Sequence, residues 1–265
     1  MNLGIIGLGV VGSAIRHGFE TLGHDVFVHD LKLETNVQDI LNTEICYICV
    51  PTPYQDDSPD NSYVVDSVIE DLVKLNYSGI IAIKSTILPG STEKFQSKYP
   101  SNKICFVPEF LRERCAEDDF ISNHDVCVVG TEDSEIFEAI KISHGNFPEV
   151  FVQTTPTEAE FIKYFNNTFA AALITYANSF YEVCKRVGAN YDIVRSAIMH
   201  RSFMPTHYLD CDETLRGFGG PCLPKDTKAF NSLIKSLNLD IDFFDTLLKE
   251  NSKYKTTVFK GMRGE

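Results

Sequence analysis

The sequence predicts an α/β fold, in which an N-terminal Rossmann-type doubly wound parallel sheet is followed by an all-helical domain with a long central helix. Over the first 150 residues, short apolar runs alternate with amphipathic segments, as expected for a parallel sheet covered on both faces. A glycine-rich turn joins the first apolar run to the first amphipathic segment. After Thr155 the strand-like runs give way to helical periodicity. We therefore predict two domains, 1–154 and 155–265.

Each element follows from its apolar spacing and from the residues that break it. Short apolar runs predict strands at Leu3–Ile6, Asp25–His29, Ile45–Val50, Gly79–Ile83, Ile104–Val107, Val126–Val129 and Val150–Gln153. Helical spacing predicts helices at Val10–Leu22, Tyr63–Leu75, Ser91–Lys98 and Ser134–Ser143. Pro156 suits a first helical turn and no breaker follows before Gly188, so we expect one helix through Val187. Further helices are predicted at Tyr191–Met199, Thr227–Leu237 and Ile241–Lys260.

Charge and hydropathy exclude several classes of protein. With 24 Lys and Arg against 37 Asp and Glu, the net charge is −13, which disfavours nucleic acid and anionic membranes as partners. No apolar run reaches the roughly 18 residues of a membrane span. The apolar N-terminal run lacks a preceding basic segment and is interrupted by glycines, so we expect no signal peptide.

The 8 cysteines are expected to be reduced. Most lie in apolar runs, and Cys46 and Cys49, if in one strand, have α-carbons about 10 Å apart, too far for a disulfide. Buried thiols of this kind are typical of a reducing compartment, so we predict a cytoplasmic protein. We predict no metal site.

The glycine-rich turn has the pattern of a dinucleotide site. Its glycines lie between a strand and a helix, and Asp30 ends the next strand. Such glycines allow a tight turn and the approach of a pyrophosphate to the helix N-terminus, while the acid accepts the ribose hydroxyls. A carboxylate repels a 2′-phosphate, so Asp30 favours NAD; the alternative is a glycine turn without a ligand. The candidate cofactor contacts here are Gly7, Gly9, Val10, Val11, Gly12 and Asp30.

Three further junctions follow the third, fourth and fifth predicted strands. They are Val50-Pro-Thr-Pro53, Lys84-Ser-Thr86 and Pro108-Glu-Phe-Leu-Arg-Glu113. Because ligands bind beyond the carboxyl ends of parallel strands, their hydroxyls and carboxylates are expected around one crevice. The alternative is that these prolines and hydroxyl side chains are ordinary loop residues that bind no ligand.

The long helix carries Lys163 and Asn167, four residues apart and therefore on one face. Both could donate hydrogen bonds to a developing oxyanion. The alternative is a solvated face on which Glu160 pairs with Lys163.

The segment Gly217-Phe-Gly-Gly-Pro-Cys-Leu-Pro-Lys-Asp226 frames a cysteine with glycine and proline. We expect Asp226 to cap a helix beginning at Thr227. Cys222 would then precede a helix N-terminus, with Lys225 three residues away, and both features favour a thiolate. The alternative is a glycine-rich connector with an incidental cysteine.

Together these motifs resemble the UDP-glucose/GDP-mannose dehydrogenase family, from Met1 to about Lys260. The resemblance implies NAD-dependent oxidation of the C6 alcohol of a nucleotide sugar to the uronic acid, with UDP-glucose and UDP-glucuronate as the default pair and polysaccharide biosynthesis as the setting. Members of the family usually continue into a C-terminal UDP-binding domain. We expect this chain to lack that domain, either as a naturally short form or as a truncated form, or to complete its substrate pocket in another way.

The family's mechanism implies roles for six catalytic residues. Cys222 would attack the intermediate aldehyde to form a thiohemiacetal and then a thioester. Lys163 and Asn167 would stabilise the oxyanion. Glu109 and Asp226 would supply the base and orient water, and Thr86 would act through a bound water.

Binding residues are implied in the same way. Besides the glycine loop and Asp30, the cofactor contacts would be Thr52, Pro53, Thr86, Glu113 and Lys225. The substrate contacts would be Glu109, Phe110, Leu111, Arg112, Lys163, Asn167, Arg201, Phe218 and Gly219, where Arg201 is our best match to the family's substrate-binding arginine.

Two other functions stay open, and so does the oligomeric state. The chain could be a two-electron β-hydroxyacid-type dehydrogenase that uses Lys163 alone, or a non-catalytic NAD-binding module that lost its sugar-nucleotide domain. The family implies a homodimer through the long helix, which has one broad apolar face. The alternative is that this face packs within its own subunit. The apolar positions are Phe161, Phe165, Phe169, Leu173 and Tyr176.

Overall fold

A computed structural model describes residues 1–54 and 61–256 and divides the chain into two compact units, Met1–Lys163 and Tyr164–Glu265. The first unit contains a seven-stranded sheet in the order β2-β1-β3-β4-β5-β6-β7. Its strands are β1 (Asn2–Ile6), β2 (Asp25–His29), β3 (Ile45–Ile48), β4 (Ile80–Ile83), β5 (Lys103–Phe106), β6 (Val126–Gly130) and β7 (Val150–Thr154). The predicted fold class is confirmed.

The sheet is parallel from β2 through β5, but it departs from the prediction beyond that point. β6 pairs antiparallel with β5, and β7 runs parallel to β6. The connection after β5 contains only a short 3-10 turn, Glu113–Cys115, and α4 (Ala116–Ile121). Six helical residues advance about 9 Å, less than the length of a short strand, so α4 does not carry the chain back for a parallel crossover.

Helices cover both faces of this sheet. They are α1 (Val10–Thr21), α2 (Tyr63–Lys74), α3 (Ser91–Lys98), α4 and α5 (Ser134–His144), with a further 3-10 turn at Val37–Ile40. All four residues of β3 are buried: Cys46 and Ile48 pack in one apolar cluster, and Ile45 and Tyr47 pack in the other. This two-sided burial explains why the strand sequence is continuously apolar.

The second unit is helical among its described residues. The long helix α6 (Pro156–Val187) begins in the first unit and continues into the second, where α7 (Tyr191–Ile198), α8 (Leu223–Ser236) and α9 (Phe243–Asn251) follow. The predicted domain boundary near 154 lies at the start of α6, whereas the compact units separate within that helix, after Lys163.

Two helix boundaries differ from the predictions. α8 begins at Leu223 rather than Thr227, with Cys222 at the N-cap, so the prediction that Asp226 caps this helix is wrong. The reason is Pro224, whose fixed φ suits the first helical turn and brings the start of the helix forward. α9 ends at Asn251, and 257–260 of the predicted helix lie outside the described residues.

Candidate functional site

The glycine loop at the start of α1 has the geometry that a dinucleotide needs. Gly7 has φ +95°, and a Cβ there would lie 2.6 Å from the backbone oxygen of Cys49. A Cβ at Gly12 would lie 1.9 Å from the backbone oxygen of Gly7. A Cβ at Gly9, by contrast, would meet nothing within 4 Å, so this glycine leaves open space beside the backbone. The loop therefore fits a pyrophosphate, which needs both the tight turn and the room.

Asp30 holds this loop from the end of β2. Its carboxylate accepts the N–H of Leu8 at 2.7 Å and the N–H of Lys32 at 2.8 Å. These two hydrogen bonds lower the pKa of Asp30, so the carboxylate is ionised at neutral pH. The group is partly exposed and each oxygen has a second lone pair, so it can also accept ribose hydroxyls.

The three motif-bearing junctions lie at the carboxyl ends of β3, β4 and β5 and contact one another. The Ser85 hydroxyl donates to the carbonyl of Val50 at 2.8 Å. Buried Lys84 donates to the carbonyl of Val107 at 3.3 Å, and burial lowers its pKa. Thr52 and Thr86 are both buried at these junctions, while Pro53 is exposed.

Lys163 pairs with the glutamate of the third junction. Its ammonium is buried and donates to the Glu109 carboxylate at 2.9 Å and to the Glu109 carbonyl at 2.5 Å. The second carboxylate oxygen of Glu109 accepts the N–H of Leu111 at 2.7 Å. The aromatic ring of Phe110 lies 5.7 Å from the ammonium. A cation and a carboxylate are thus held together beside the carboxyl ends of the sheet.

Glu160 does not pair with Lys163, which removes the solvated-face alternative. The Glu160 carboxylate is fully buried and accepts hydrogen bonds from the Thr92 hydroxyl at 2.6 Å and from the N–H groups of Thr92 and Gly90 at 2.8 and 2.5 Å. Burial outweighs these bonds and raises the pKa of Glu160 to about 7. This carboxylate fixes the beginning of α6 to the N-terminus of α3.

The second unit holds a separate polar cluster in the turn after Cys222. Asn167 donates to the buried Asp226 carboxylate at 2.6 Å, and Lys225 approaches the other oxygen at 2.5 Å. Cys222 is exposed at the N-cap of α8, and no side-chain hydrogen bond caps this helix. A nucleophile, an amide donor, a carboxylate and a cation are therefore supplied by α6 and the first turn of α8.

The remaining predicted residues have varied surroundings. Arg112 forms an ion pair with Asp119, and Arg201 is exposed with its guanidinium 5.2 Å from the Phe203 ring. The Phe218 side chain is 1% exposed and packs in an apolar cluster, so it presents no side-chain surface to a substrate. Val10, Val11, Glu113 and Gly219 are partly exposed.

Sequence reasoning missed several polar residues that organise these clusters. The sequence suggests Glu160 only as a partner for Lys163, and the predicted site residues do not include Asn178, Arg216 or Asn251. The signal for Asn178 is an amide within the mostly apolar stretch of α6 from Phe169 to Phe180. No local pattern identifies Asn251, because its partner lies 33 residues away.

These features define a class of protein: a dinucleotide-fold unit joined to a helical unit that carries an exposed cysteine beside a buried carboxylate–amide pair. Residues 28–147 match the NAD binding domain of the UDP-glucose/GDP-mannose dehydrogenase family, and residues 157–253 match its central domain. Together the two matches span well over half of the chain. The chain belongs to this family, and its first unit is the NAD-binding domain.

Individual relatives agree with this assignment. The chain is 29% identical to a UDP-glucose 6-dehydrogenase of Rickettsia felis, over 96% of this chain and 65% of that protein. It is 31% identical to a UDP-glucose 6-dehydrogenase of Haloferax volcanii, over 86% of this chain and 64% of that protein. The structure of a UDP-glucose dehydrogenase from Pyrobaculum islandicum superposes with a TM-score of 0.86 at 26% identity, over 95% of this chain and 68% of that one.

The chain spans about two thirds of the length of the curated relatives that it matches. Among the described residues, no helix combines the length and apolar character needed to cross a membrane. Within the same ranges, no group of three or more His, Cys, Asp or Glu side chains is arranged to hold a metal ion.

Proposed function

We propose that this protein catalyses the NAD-dependent oxidation of the C6 alcohol of a nucleotide sugar to the uronic acid, with UDP-glucose as substrate, through a covalent bond to Cys222. The observation that carries this proposal is the buried Asp226 carboxylate in the turn that follows exposed Cys222, bound by buried Asn167 of α6 and by partly buried Lys225. A simple alcohol oxidation needs no thiol, whereas oxidation of an aldehyde to an acid proceeds readily through a thioester.

In this mechanism the first unit would bind NAD, which is the oxidant, and the side chains would supply the base, the nucleophile and the oxyanion donors. NAD, when bound, accepts one hydride in each of the two oxidations. Thr86, buried at the end of β4, would orient the water that takes the alcohol proton. The Cys222 thiolate then adds to the aldehyde carbon, and the carbonyl oxygen becomes an oxyanion.

Lys163 and Asn167 would stabilise that oxyanion as donors. They lie one turn apart on α6, about 6 Å along the helix axis, and both side chains are buried and already fixed by carboxylates. Prepositioned donors need no rearrangement as charge develops, and loss of one such donor typically costs about 10²–10³ in kcat. Loss of the second hydride leaves a thioester, whose acyl carbon is then attacked by water.

Glu109 and Asp226 are the candidates for activating that water. Glu109 is held by Lys163 and by the Leu111 N–H, and Asp226 by Asn167 and Lys225. One carboxylate would accept a proton from water while the other orients it, and the Cys222 thiolate would leave as the acid forms. We further propose the cytoplasm as the location, because all eight cysteines are free.

The test is the number of NADH molecules formed per UDP-glucose consumed by the purified chain. We expect two. Cys222→Ser should stop the reaction after the first oxidation, whereas the control Cys115→Ser, in the first unit, should keep two. One NADH per sugar for the unaltered protein would contradict the covalent mechanism and support a two-electron dehydrogenase. No NADH with UDP-glucose, GDP-mannose or N-acetylated sugars, while NAD still binds, would indicate a non-catalytic module.

We also propose a homodimer formed through α6. Large apolar side chains stay exposed along this helix, Phe165 at 73% and Val187 at 72%, so they are not covered by the chain's own described residues. Phe165 and Phe169 stack with ring centroids 6.1 Å apart, and Tyr176 lies 4.8 Å from Phe180. Apolar side chains exposed along about six turns of one helix are typical of an interface between subunits.

A further inference from the structure

Two buried asparagines of the second unit hold the segment that leads to Cys222. Asn178, on α6, accepts the Gly217 N–H at 3.2 Å. Asn251, the last residue of α9, binds both backbone groups of Phe218: it accepts the N–H at 2.8 Å and donates to the carbonyl at 2.9 Å. The Asn251 side chain thus pairs with the backbone N–H and C=O of Phe218 in the way that a residue of a neighbouring β-strand would. We refer to Asn178 and Asn251 as the asparagine clamp.

The glycine at position 217 is what allows this close approach. Its φ is +56°, in the left-handed region, and a Cβ there would lie 2.8 Å from Oδ1 of Asn251. Any other residue would therefore have to displace the clamp as well as adopt a strained backbone conformation.

Arg216 anchors the same segment from its other side. Its Nε donates to Oδ1 of Asn178 at 2.8 Å, the same oxygen that accepts the Gly217 N–H. Its guanidinium lies 4.9 Å from the centroid of the Tyr181 ring and 4.7 Å from that of Tyr254, and it forms an ion pair with Glu182. A guanidinium that contacts two rings, an amide oxygen and a carboxylate is restricted to one orientation.

The far end of the segment is fixed by α8. The Cys222 carbonyl accepts the Asp226 N–H at 2.9 Å, and the Thr227 hydroxyl donates to the carbonyl of Leu223 at 2.7 Å. Only Gly219, Gly220 and Pro221 separate the clamped Phe218 from Cys222. With so short a connection, a shift at the clamp changes the backbone at Cys222 directly.

We propose that Asn178 and Asn251 are positioning residues for Cys222, which keep its backbone at the N-terminus of α8. The partial positive charge of that terminus then favours the thiolate. That the thiolate acts in the second oxidation rests on the proposed function, whereas the positioning itself does not.

The experiment measures alkylation of Cys222 by iodoacetamide as a function of pH, read by mass spectrometry of its peptide. In Asn251→Ala we expect the pH midpoint of alkylation to rise by about half a unit, the size of a typical helix-terminus contribution. The matched control Ser252→Ala, which removes a side-chain hydrogen bond from the end of the same helix but not from the clamp, should keep the midpoint. An unchanged midpoint in folded Asn251→Ala would overturn the proposal.

Two further variants keep the test decisive if Asn251→Ala does not fold. Asn178→Ala removes the other half of the clamp and should raise the midpoint in the same direction. Gly217→Ala should do so through the clash with Asn251, and in an Asn251→Ala background its effect should shrink, because the clashing oxygen is gone. Additive effects in that double variant would contradict the assignment.

Turnover separates this proposal from the proposed function. If Asn251→Ala impairs the second oxidation more than the first, NADH per UDP-glucose falls from two towards one, as expected for a positioning residue. An equal loss in both oxidations with an unmoved alkylation midpoint would show that the clamp only stabilises the fold. If the unaltered protein forms no NADH, the proposed function fails, yet the alkylation profiles still decide whether the clamp positions Cys222.

Discussion

His144 is a buried side chain that makes the stability of the first unit depend on pH. The imidazole is fully buried; its Nδ1 lies 2.9 Å from the Ile140 carbonyl, and its Nε2 has no hydrogen-bond partner in the described part of the chain. Burial lowers the pKa of His144 well below 6.5, and it lowers that of His124, 5.8 Å away, to about 4. Both rings are therefore neutral in the folded state near neutral pH.

The direction in which pH changes the free energy of unfolding follows from the number of protons bound in the unfolded and folded states. Because the unfolded chain binds these protons at about pH 6.5 and the folded state does not, stability is full above pH 6.5 and is lost as the pH falls below it. Each pH unit costs up to about 1.4 kcal/mol per histidine, which lowers the melting temperature by roughly 3–6 °C. We predict that His144→Asn, which retains a donor for Ile140, weakens this acid dependence between pH 6.5 and 4.

The measurement is the melting temperature against pH for the variant and the unaltered protein. Exposed His17→Asn is the control and should leave the slope unchanged. Glu160 contributes with the opposite sign, since its raised pKa means that stability is lost as the pH rises towards about 7. The difference between the two proteins cancels that contribution, and equal slopes for His144→Asn and unaltered protein would contradict the prediction.

The ion pair of Lys163 shows that residue spacing along a helix does not identify partners that are distant in sequence. The sequence placed Lys163 and Asn167 on one helix face correctly, because helical spacing is local. It offered Glu160 as a partner for Lys163, whereas the actual partner is Glu109, 54 residues away. That choice depends on the N-terminus of α3, which draws the Glu160 carboxylate to the amides of Gly90 and Thr92.

At the scale of elements, two alanine substitutions in the glycine loop before and within α1 separate NAD binding from packing of the helix. Gly9→Ala adds a methyl group into open space, so the protein should fold with nearly unchanged stability but bind NAD much more weakly. Gly12→Ala places a methyl group 1.9 Å from the Gly7 oxygen, so α1 must move away from β1 and the stability of the first unit should fall by about 1–3 kcal/mol.

Chemical unfolding and NAD titration of both variants check this prediction. Gly23→Ala serves as the control, because its Cβ also meets open space but lies at the other end of α1, although φ +81° adds a small backbone cost. Normal NAD binding by Gly9→Ala would contradict the assignment of this loop to the cofactor.

Element boundaries show where sequence patterns succeed. α3 and α6 were predicted to the residue, since Gly90 precedes the first and Gly188 follows the second. α8 begins four residues before its predicted start, because Pro224 suits the first helical turn and Asp226 lies within the helix rather than at its cap. α4 was missed, although its acidic first turn is typical of a helix N-terminus.

At the scale of the whole molecule, the exposed apolar face of α6 predicts the oligomeric state. Phe165→Glu places a charge at the most exposed aromatic position of this helix and should convert a dimer into a monomer. Leu31→Glu is the control, because Leu31 is 94% exposed in the first unit and distant in sequence from α6. Sedimentation velocity at several concentrations distinguishes the two states, and an unaltered protein that stays monomeric would contradict the prediction.

The fold class was predictable because alternating apolar and amphipathic segments determine a layered α/β architecture. The reversal of β6 was not, since the antiparallel register meets β5 at a single pair, Phe106 and Gly130. A Cβ at Gly130 would lie 2.7 Å from Ala159, so that glycine is required by packing against α6 rather than by any pattern along the strand.

Cys222 is the exposed member of eight cysteines, all of them within the described ranges. Oxidants in solution reach an accessible thiol first and convert it to sulfenic and then to irreversible acids, while thiols buried in the sheet are shielded. A preparation ageing in air is therefore expected to retain its fold and its NAD affinity while Cys222 is gradually oxidised, and the second oxidation that we propose for Cys222 would be lost with it. Under the proposed covalent mechanism, the oxidation state of Cys222 in a given sample would determine whether that sample forms two NADH per sugar or only one.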